Sequence, residues 1–481
     1  MDGQPHAVLL PGPGLGHVNG MALLAKALLS VGFRVTMAFF ERSYRTHASK
    51  GRLTKLCDSV RVEVVEDDLP PPDSFVDLFR VTSSMPRNLL LLFNSLSTQQ
   101  QPATCLVSDS IMAWTQHVAD ELGIPRVEYW TASATAYTAS LAVPDLIRQG
   151  YVGSHTGEVP KSWKSKEPVF LDCVPGHTSF PLDEIPTDFR YVSMEDPLLQ
   201  RFVEMANLAN RFDCLFIHSV MELESHAFQA LQHVAHLEVY PIGPLINQSI
   251  DATLTNPTLS WLDTKAPASV IYVSFGSASV HTRDEIFELA CGLESSGKPF
   301  LWVVRSDGLP HDGALADMVP SGFHERIVDR GMIVPWVSQM DVLAHPAVGG
   351  FLSHCGWNST LESLWMGVPL LTCPIRADQP INSRLIVKEW GVGIELHSST
   401  EEGKPSRHDI EVGINMLLDE DSGCLVRTKA KEFKSMLRKS PFPGGQSHTK
   451  LIYFASKMKK LCVSKNQAAF KQQPHCDQLE D

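Results

Sequence analysis

Short apolar runs alternate with longer amphipathic stretches along almost the whole chain. Residues 7–10 form the first apolar run, a glycine-rich turn follows, and a helical pattern leads to a second apolar run at residues 35–40. Short strands that alternate with helices are typical of parallel, doubly wound sheets. The pattern therefore predicts an α/β protein.

A polar, turn-rich stretch at residues 247–257 separates two regions of strand–helix alternation, and within the first region residues 149–186 are expected to form long surface loops. This arrangement predicts a first Rossmann-like domain at residues 1–246, a linker at 247–258 and a second Rossmann-like domain at 259–443. Residues 444–465 have a helical pattern. Residues 466–481 are polar and unpatterned, so we expect a disordered tail there.

In the first half of the chain, polar residues follow three predicted strands. His17, Asp109 and Thr131 lie just past the ends of apolar runs, and the carboxyl ends of parallel strands share one edge of a sheet. After Gly12 and Gly14, a dinucleotide fingerprint would need glycine at position 17. This chain has His17 there, which argues against a nicotinamide-dependent oxidoreductase.

His17 and Asp109 suit acid–base chemistry, because an imidazole titrates near neutral pH and a carboxylate can fix its tautomer. An ordinary structural explanation fits equally well, in which His17 begins a helix and Asp109 caps one. The residues alone leave these two interpretations open.

The stretch from residue 332 to residue 379 predicts a strand–helix–strand unit in the second half. Apolar runs at 332–334, 348–352 and 370–373 flank a helix that begins near Asn358 and ends at Gly367. Polar or aromatic residues stand just past the strand ends, as ligand-binding residues do in open parallel sheets. These residues are Trp336, His354, Ser359, Asp378 and Gln379.

Each of these residues has a functional and an ordinary explanation. The helix start offers free N–H groups to a phosphate, Trp336 offers a ring on which a base stacks, and Glu362 could bind a ribose. Alternatively, Ser359 and Glu362 form a capping box, and Trp336 and His354 are core residues. Their joint spacing is more informative than any one of them.

That spacing resembles the plant secondary product glycosyltransferase box of family 1 UDP-glycosyltransferases. The resemblance implies a GT-B fold, in which two doubly wound domains face each other across a cleft, and a terminal helix that packs back on the first domain. The matching residues are Trp336, Gln339, Leu343-Ala344-His345, Gly350-Phe351, His354-Cys355-Gly356-Trp357-Asn358-Ser359, Glu362, Gly367-Val368-Pro369, Pro374 and Asp378-Gln379.

The resemblance also implies a role for each site residue. His17 would be the catalytic base and Asp109 would orient it. The donor-binding residues implied are Trp336 and Val337 for uracil; Gln339 and Glu362 for ribose; His354, Asn358, Ser359 and Ser277 for the diphosphate; and Trp357, Asp378, Gln379 and Thr131 for the sugar.

The implied reaction is direct displacement with inversion at the anomeric carbon, without a metal ion or other cofactor. Gln379 resembles the glucose-using members, so we expect UDP-glucose as donor and a small hydrophobic hydroxylated acceptor, such as a flavonoid or other phenolic. A hormone, terpenoid or sterol acceptor, another UDP-sugar, and an idle UDP-sugar-binding protein are the alternatives.

One residue of the box departs from the family pattern. Arg376 stands two residues before Asp378, where the family usually has an uncharged side chain. Either it points to solvent, or it binds a carboxylate on the donor or the acceptor.

Composition narrows the range of partners. The chain has 481 residues, 43% hydrophobic and 20% charged, and a formal net charge of -13, which argues against nucleic acid or anionic membrane as main partner. The ten cysteines show no metal-like spacing, and neither a signal peptide nor a membrane segment is indicated. We expect a cytoplasmic monomer.

Overall fold

A computed structural model describes most of the chain. The described ranges are residues 4–49, 60–70, 76–153, 160–165, 167–189, 193–235, 238–246, 256–276, 281–305, 308–310, 313–399 and 403–471.

In these ranges, the first half of the chain forms a seven-stranded parallel sheet in the order β3-β2-β1-β4-β5-β8-β9, and two short strands form a separate antiparallel pair. The strands are β1 (His6–Leu10), β2 (Arg34–Phe40), β3 (Arg61–Val65), β4 (Cys105–Asp109), β5 (Arg126–Trp130), β6 (Phe170–Leu171), β7 (Phe180–Pro181), β8 (Cys214–Ile217) and β9 (Glu238–Pro241).

The second half forms a six-stranded parallel sheet in the order β12-β11-β10-β13-β14-β15. Strands β11 and β12 are added on one side of β10, and β13, β14 and β15 on the other. The carboxyl ends of β10 and β13 therefore lie at a topological switch point. The strands are β10 (Val270–Ser274), β11 (Phe300–Val303), β12 (Gly331–Val334), β13 (Val348–Ser353), β14 (Leu370–Thr372) and β15 (Gly393–Glu395).

Helices connect the strands, as parallel pairing requires. They are α1 (Leu15–Ser30), α2 (Glu41–Ala48), α3 (Ser84–Thr98), α4 (Thr115–Leu122), α5 (Ala134–Leu141), α6 (Val143–Arg148), α7 (Pro197–Leu208), α8 (Ser225–Ala235), α9 (Pro257–Asp263), α10 (Arg283–Ser295), α11 (Phe323–Ile327), α12 (Gln339–Ala344), α13 (Trp357–Met366), α14 (Gln379–Arg384), α15 (Arg407–Leu418), α16 (Cys424–Leu437) and α17 (Gln446–Lys471).

Two boundaries differ from the expected ones. Helix α9 begins inside the predicted linker, because the Asn256 side chain caps it by accepting from the Thr258 N–H at 3.0 Å. Residues 247–255 of that linker lie outside the described residues. Helix α17 runs to Lys471 and so extends into the segment expected to be a disordered tail, of which residues 472–481 are not described.

Helix α17 joins the core of the first sheet although it follows the whole second half in sequence. Phe454 is buried against Phe33, Phe216 and Tyr240, with ring centroids 5.7, 4.8 and 6.3 Å away. This packing ties the end of the chain to the first domain.

We expect Phe454→Ala to destabilise the first domain by about 3–5 kcal/mol, because it leaves a cavity among these rings. Ile452→Ala on the exposed side of the same helix is the matched control and should change stability little. Calorimetric unfolding of both variants measures the difference. Equal losses would contradict the packing described here.

Candidate active site

The turn after β4 holds a carboxylate against an imidazole. Asp109 is the last residue of β4 and fully buried, and its Oδ1 accepts from the Ile111 N–H at 3.2 Å. Its Oδ2 lies 2.7 Å from Nδ1 of His17, which is in the first turn of α1. Thr131 Oγ1 is 3.3 Å from the same nitrogen. The three residues meet at one sheet edge.

This surrounding makes His17 a stronger base than an ordinary histidine. Burial by itself lowers the pKa of His17, but the charge and hydrogen bond of Asp109 and the more distant charge of Asp378 outweigh it, so the pKa lies above 6.5. Because Nδ1 donates to the carboxylate, Nε2 is the nitrogen that can accept a proton. The side chain keeps 29% of its surface exposed, so it remains accessible.

Across the cleft, helix α13 points its start toward His17. The Thr360 N–H bonds to the Gly356 carbonyl, so the N–H groups before it have no acceptor within the helix. Asn358 Nδ2 donates to the Gly16 carbonyl at 3.3 Å, which joins the two domains one residue from His17. An anion at this helix start would therefore lie beside the imidazole.

Glu362 does not cap its own helix. The side-chain cap bond of α13 is absent in the described structure, and Gln339 Nε2 instead donates to Ser359 Oγ at 2.9 Å and to Glu362 Oε2 at 2.6 Å. The Tyr272 hydroxyl donates to Gln339 Oε1 at 3.3 Å. Burial raises the pKa of Glu362 to about 7, although the bond from Gln339 opposes the shift.

His354 lies between two glycines and carries no charge at neutral pH. Burial lowers its pKa to about 4, and a Cβ at Gly276 or at Gly356 would lie 2.4 Å from Nε2. An interaction with the Ser274 backbone opposes this pKa shift, although Nδ1 makes no hydrogen bond of ordinary geometry among the described residues. A phosphate at this site would therefore meet a neutral imidazole and backbone N–H groups.

The two tryptophans of the motif differ in exposure. Trp336 is 72% exposed at the end of β12, and Val337 after it is buried. Trp357 is buried, and its indole N–H donates to the His218 carbonyl of the first domain at 2.6 Å. The indole N–H is therefore already bonded, and a contact between Trp357 and a sugar hydroxyl, which stays a prediction, would use the backbone N–H.

Asp378 and Gln379 lie at the start of α14, where one buried amide organises them. Asn382 Nδ2 donates to Asp378 Oδ2 at 2.8 Å and to the Cys355 carbonyl at 2.9 Å, and its Oδ1 accepts from Ser133 Oγ of the first domain at 3.1 Å. Burial raises the pKa of Asp378. Gln379 Oε1 accepts two backbone N–H bonds from its own loop, which leaves its amide nitrogen for a ligand.

Arg376 neither points to solvent nor lies unpaired. Its Nη2 donates to Asp188 Oδ1 at 3.1 Å, across the boundary between the domains. Close by, Glu184 accepts from Arg384 at 3.1 Å and from Lys388 at 2.7 Å. The segment 182–189 of the first domain is thus attached by three cations, which lie in the loop before Asp378, at the end of α14 and in the helical turn that follows α14.

Ser277 lies outside the described residues, so the structure does not describe its position. Sequence reasoning missed Asn382, Tyr272, Asp188 and Glu184. Only Asn382 left a signal, because it stands four residues after Asp378 and one helical turn brings the two together. Among the described residues, no three His, Cys, Asp or Glu side chains cluster as a metal site requires.

Comparisons with known proteins agree with this geometry. The family described as UDP-glucoronosyl and UDP-glucosyl transferase matches residues 77–422, which is more than half of the chain. The chain belongs to this family.

Among relatives of this UDP-glycosyltransferase, UDP-glycosyltransferase 85A3 of Arabidopsis thaliana is 34% identical, over 96% of this chain and 97% of the relative. The (R)-mandelonitrile beta-glucosyltransferase of Prunus dulcis is 33% identical, over 95% and 97%. The solved structure of Phytolacca americana UGT2 with UDP-2fluoro-glucose and pterostilbene is 29% identical, covers 94% of this chain and 99% of that chain, and gives a TM-score of 0.80.

The GT-B fold and the UDP-glycosyltransferase activity predicted from the sequence are thereby confirmed. The family's enzymes act on a UDP-sugar and a small acceptor, and so does this one. None of the described helices combines the length and the apolar character needed to cross a bilayer.

We expect Arg376→Asp to weaken the attachment of the 182–189 segment, because it places a third carboxylate beside Asp188 and Asp378. Asp188→Arg should do the same, and the double variant should recover about 0.5–3 kcal/mol of coupling. Small-angle scattering and thermal unfolding of the ligand-free protein measure domain opening and stability.

The control is the reversal of Arg211 and Asp120, which form a 2.7 Å ion pair within the first domain. This pair is exposed, and its reversal should leave the radius of gyration unchanged. We expect each single variant to have a larger radius of gyration than the wild type and the double variant to return toward the wild-type value. A double variant with a radius of gyration as large as that of the single variants would contradict this expectation.

Proposed function

We propose that this enzyme transfers glucose from UDP-glucose to a hydroxyl group of a small hydrophobic acceptor, such as a flavonoid or other phenolic. The observation that carries the proposal is the approach of His17, bonded to Asp109, to the start of α13, with Asn358 bridging to Gly16 at 3.3 Å. The imidazole of His17 and the N–H groups at the start of α13 then face the same part of the cleft.

The donor would lie along the carboxyl ends of β10, β12, β13 and β14. We assign uracil to the exposed face of Trp336, with Val337 at its edge, and the ribose to the Gln339–Glu362 pair. The diphosphate would rest on the start of α13, with Asn358 and Ser359 beside it. His354 and Ser277 would also donate to the diphosphate. The sugar would contact Asp378, Gln379, Thr131 and the backbone of Trp357.

The chemistry follows from the placement of the base. His17 Nε2 removes the proton of the acceptor hydroxyl, Asp109 stabilises the imidazolium that forms, and the oxygen attacks the anomeric carbon from the side opposite the diphosphate. The helix start and neutral N–H donors stabilise the charge that develops on the leaving group. Attack from the opposite side inverts the anomeric centre, and the proposed reaction uses no metal ion.

Glucose is the donor sugar proposed because Gln379 closes the motif, and the relative from Prunus dulcis is named a glucosyltransferase. The alternatives are another UDP-sugar and a hormone, terpenoid or sterol acceptor. Transfer assays with a panel of UDP-sugars and acceptors, in which the product is identified by its mass, distinguish these donors and acceptors. We also propose that the enzyme is a cytoplasmic monomer.

We expect His17→Ala to lower kcat/KM by about 10²–10⁴-fold, as removal of a general base does. In the wild type, kcat/KM should fall as the pH decreases through the His17 pKa, which lies above 6.5, because the protonated imidazole cannot act as base. Asp109→Asn removes the charge that raises this pKa, so the acid limb should move to lower pH while the rate falls. A pH–rate profile with the same acid limb in Asp109→Asn would contradict the role of the pair.

We expect UDP-glucose to bind about tenfold more weakly at pH 6 than at pH 8, because the Glu362 pKa is about 7 and only the carboxylate can accept from both ribose hydroxyls. Both phosphates of UDP-glucose are esterified, so they do not titrate in this range. Titration calorimetry measures the affinity in a His17→Ala background, because His17 would lie beside the diphosphate and its pKa is also above 6.5. Glu362→Gln in the same background is the matched control, and its affinity should be lower but nearly constant with pH. An unchanged pH dependence in that variant would assign the effect to another group.

A further inference from the structure

A pocket in the first domain lies directly beneath the turn that holds Asp109. Ile111 lines it, and the N–H of Ile111 donates to Asp109 at 3.2 Å. Phe40 and Trp114 form another part of the wall, with ring centroids 5.9 Å apart, and Met85 adds apolar surface. Pro11 and Pro13, in the turn that leads into α1 and His17, also line it, so the pocket borders both turns that hold the His17–Asp109 pair.

Three polar side chains that line the pocket have unpaired atoms. Ser43 Oγ, Trp114 Nε1 and Arg201 Nε are buried and have no hydrogen-bond partner among the described residues. They come from three separate elements, and Ser43 and Trp114 are each more than nine-tenths buried. A buried donor without an acceptor is unfavourable, and such groups concentrate where a ligand or water completes them.

All three atoms are able to donate, and the indole and guanidinium N–H groups can only donate. Asp67, the carboxylate in the lining, already accepts from the backbone N–H groups of Arg42 and Leu69 at 3.0 and 3.3 Å. The pocket therefore has more donors than acceptors, and a complementary ligand supplies an accepting oxygen.

The charge of the pocket is balanced. Arg42 faces Asp67 and Asp77, Arg80 Nε lies 2.8 Å from Asp77, and Arg201 Nη1 lies 2.7 Å from Glu204. Since each arginine of the lining has a carboxylate partner, a buried anion would lack an unmatched positive charge. These contacts favour a neutral oxygen over a carboxylate.

We infer that the acceptor carries a neutral hydrogen-bond-accepting oxygen, such as a carbonyl, at the end remote from the hydroxyl that receives the sugar, and that this oxygen enters the pocket lined by Ser43, Trp114 and Arg201. The inference rests on the proposed function and narrows its acceptor class. It makes Trp114 and Ser43 determinants of acceptor specificity.

Three phenols with the same ring test the inference with UDP-glucose as donor. One carries a ketone on its para side chain, one has a methylene group in its place, and one ends in a carboxylate. We expect the ketone to have the highest kcat/KM, about tenfold above the methylene analogue, the range for one net hydrogen bond.

Trp114→Phe removes only the N–H group and should bring the ratio of ketone to methylene rates close to one. Ser43→Ala is a second, independent variant and should lower the same ratio. The matched control is Trp163→Phe, because the Trp163 N–H already donates to the Tyr151 carbonyl at 2.8 Å. Its effect should be equal for the two phenols and leave the ratio unchanged.

A ratio near one in the wild type would overturn the inference, and so would a ratio that both Trp114→Phe and Ser43→Ala leave unchanged, since water would then satisfy the donors. A preference for the carboxylate would overturn the argument from charge balance. If UDP-glucose binds but none of the three phenols receives a sugar, the proposed phenolic acceptor itself fails, which is a different result from transfer without discrimination.

Discussion

The amide of Asn382 is the constraint on which the cleft depends. This fully buried side chain donates to Asp378 and to the Cys355 carbonyl and accepts from Ser133 of the opposite domain. A buried amide has few alternatives once water is excluded, so its bonds fix a distance and an orientation. They hold the start of α14, the turn before α13 and the first domain in one arrangement.

The groups of the cleft that can face a diphosphate are mostly uncharged. The chain has a net charge of -13, and a UDP-sugar carries negative charge on its diphosphate. The imidazole of His354 is neutral because burial lowers its pKa, so the oriented N–H groups at the start of α13 are the positive end available to a phosphate. Arg376, two residues before Asp378, attaches Asp188 of the other domain.

Most of the architecture was predictable from sequence because hydrophobic periodicity reports strands and helices directly. The strand ends at Asp109 and Ser353, and the helix end at Gly367 with its left-handed backbone, follow from local patterns. The end of α17 was missed because its last residues have no apolar stripe. The bond of Trp357 to the first domain was not predictable, because periodicity does not tell which domain a side chain contacts.

The α/β class, the two-domain order and the positions where polar residues follow strands are readable from the amino-acid sequence, since these depend on neighbours in the chain. The bond of His17 to Asp109, the pairing of Glu362 with Gln339 in place of a helix cap and the contact of Arg376 with Asp188 are established by the folded structure. Each of these choices depends on which burial and which partner a side chain finds across long sequence separations. Local sequence patterns do not predict which residues far apart in the chain come into contact.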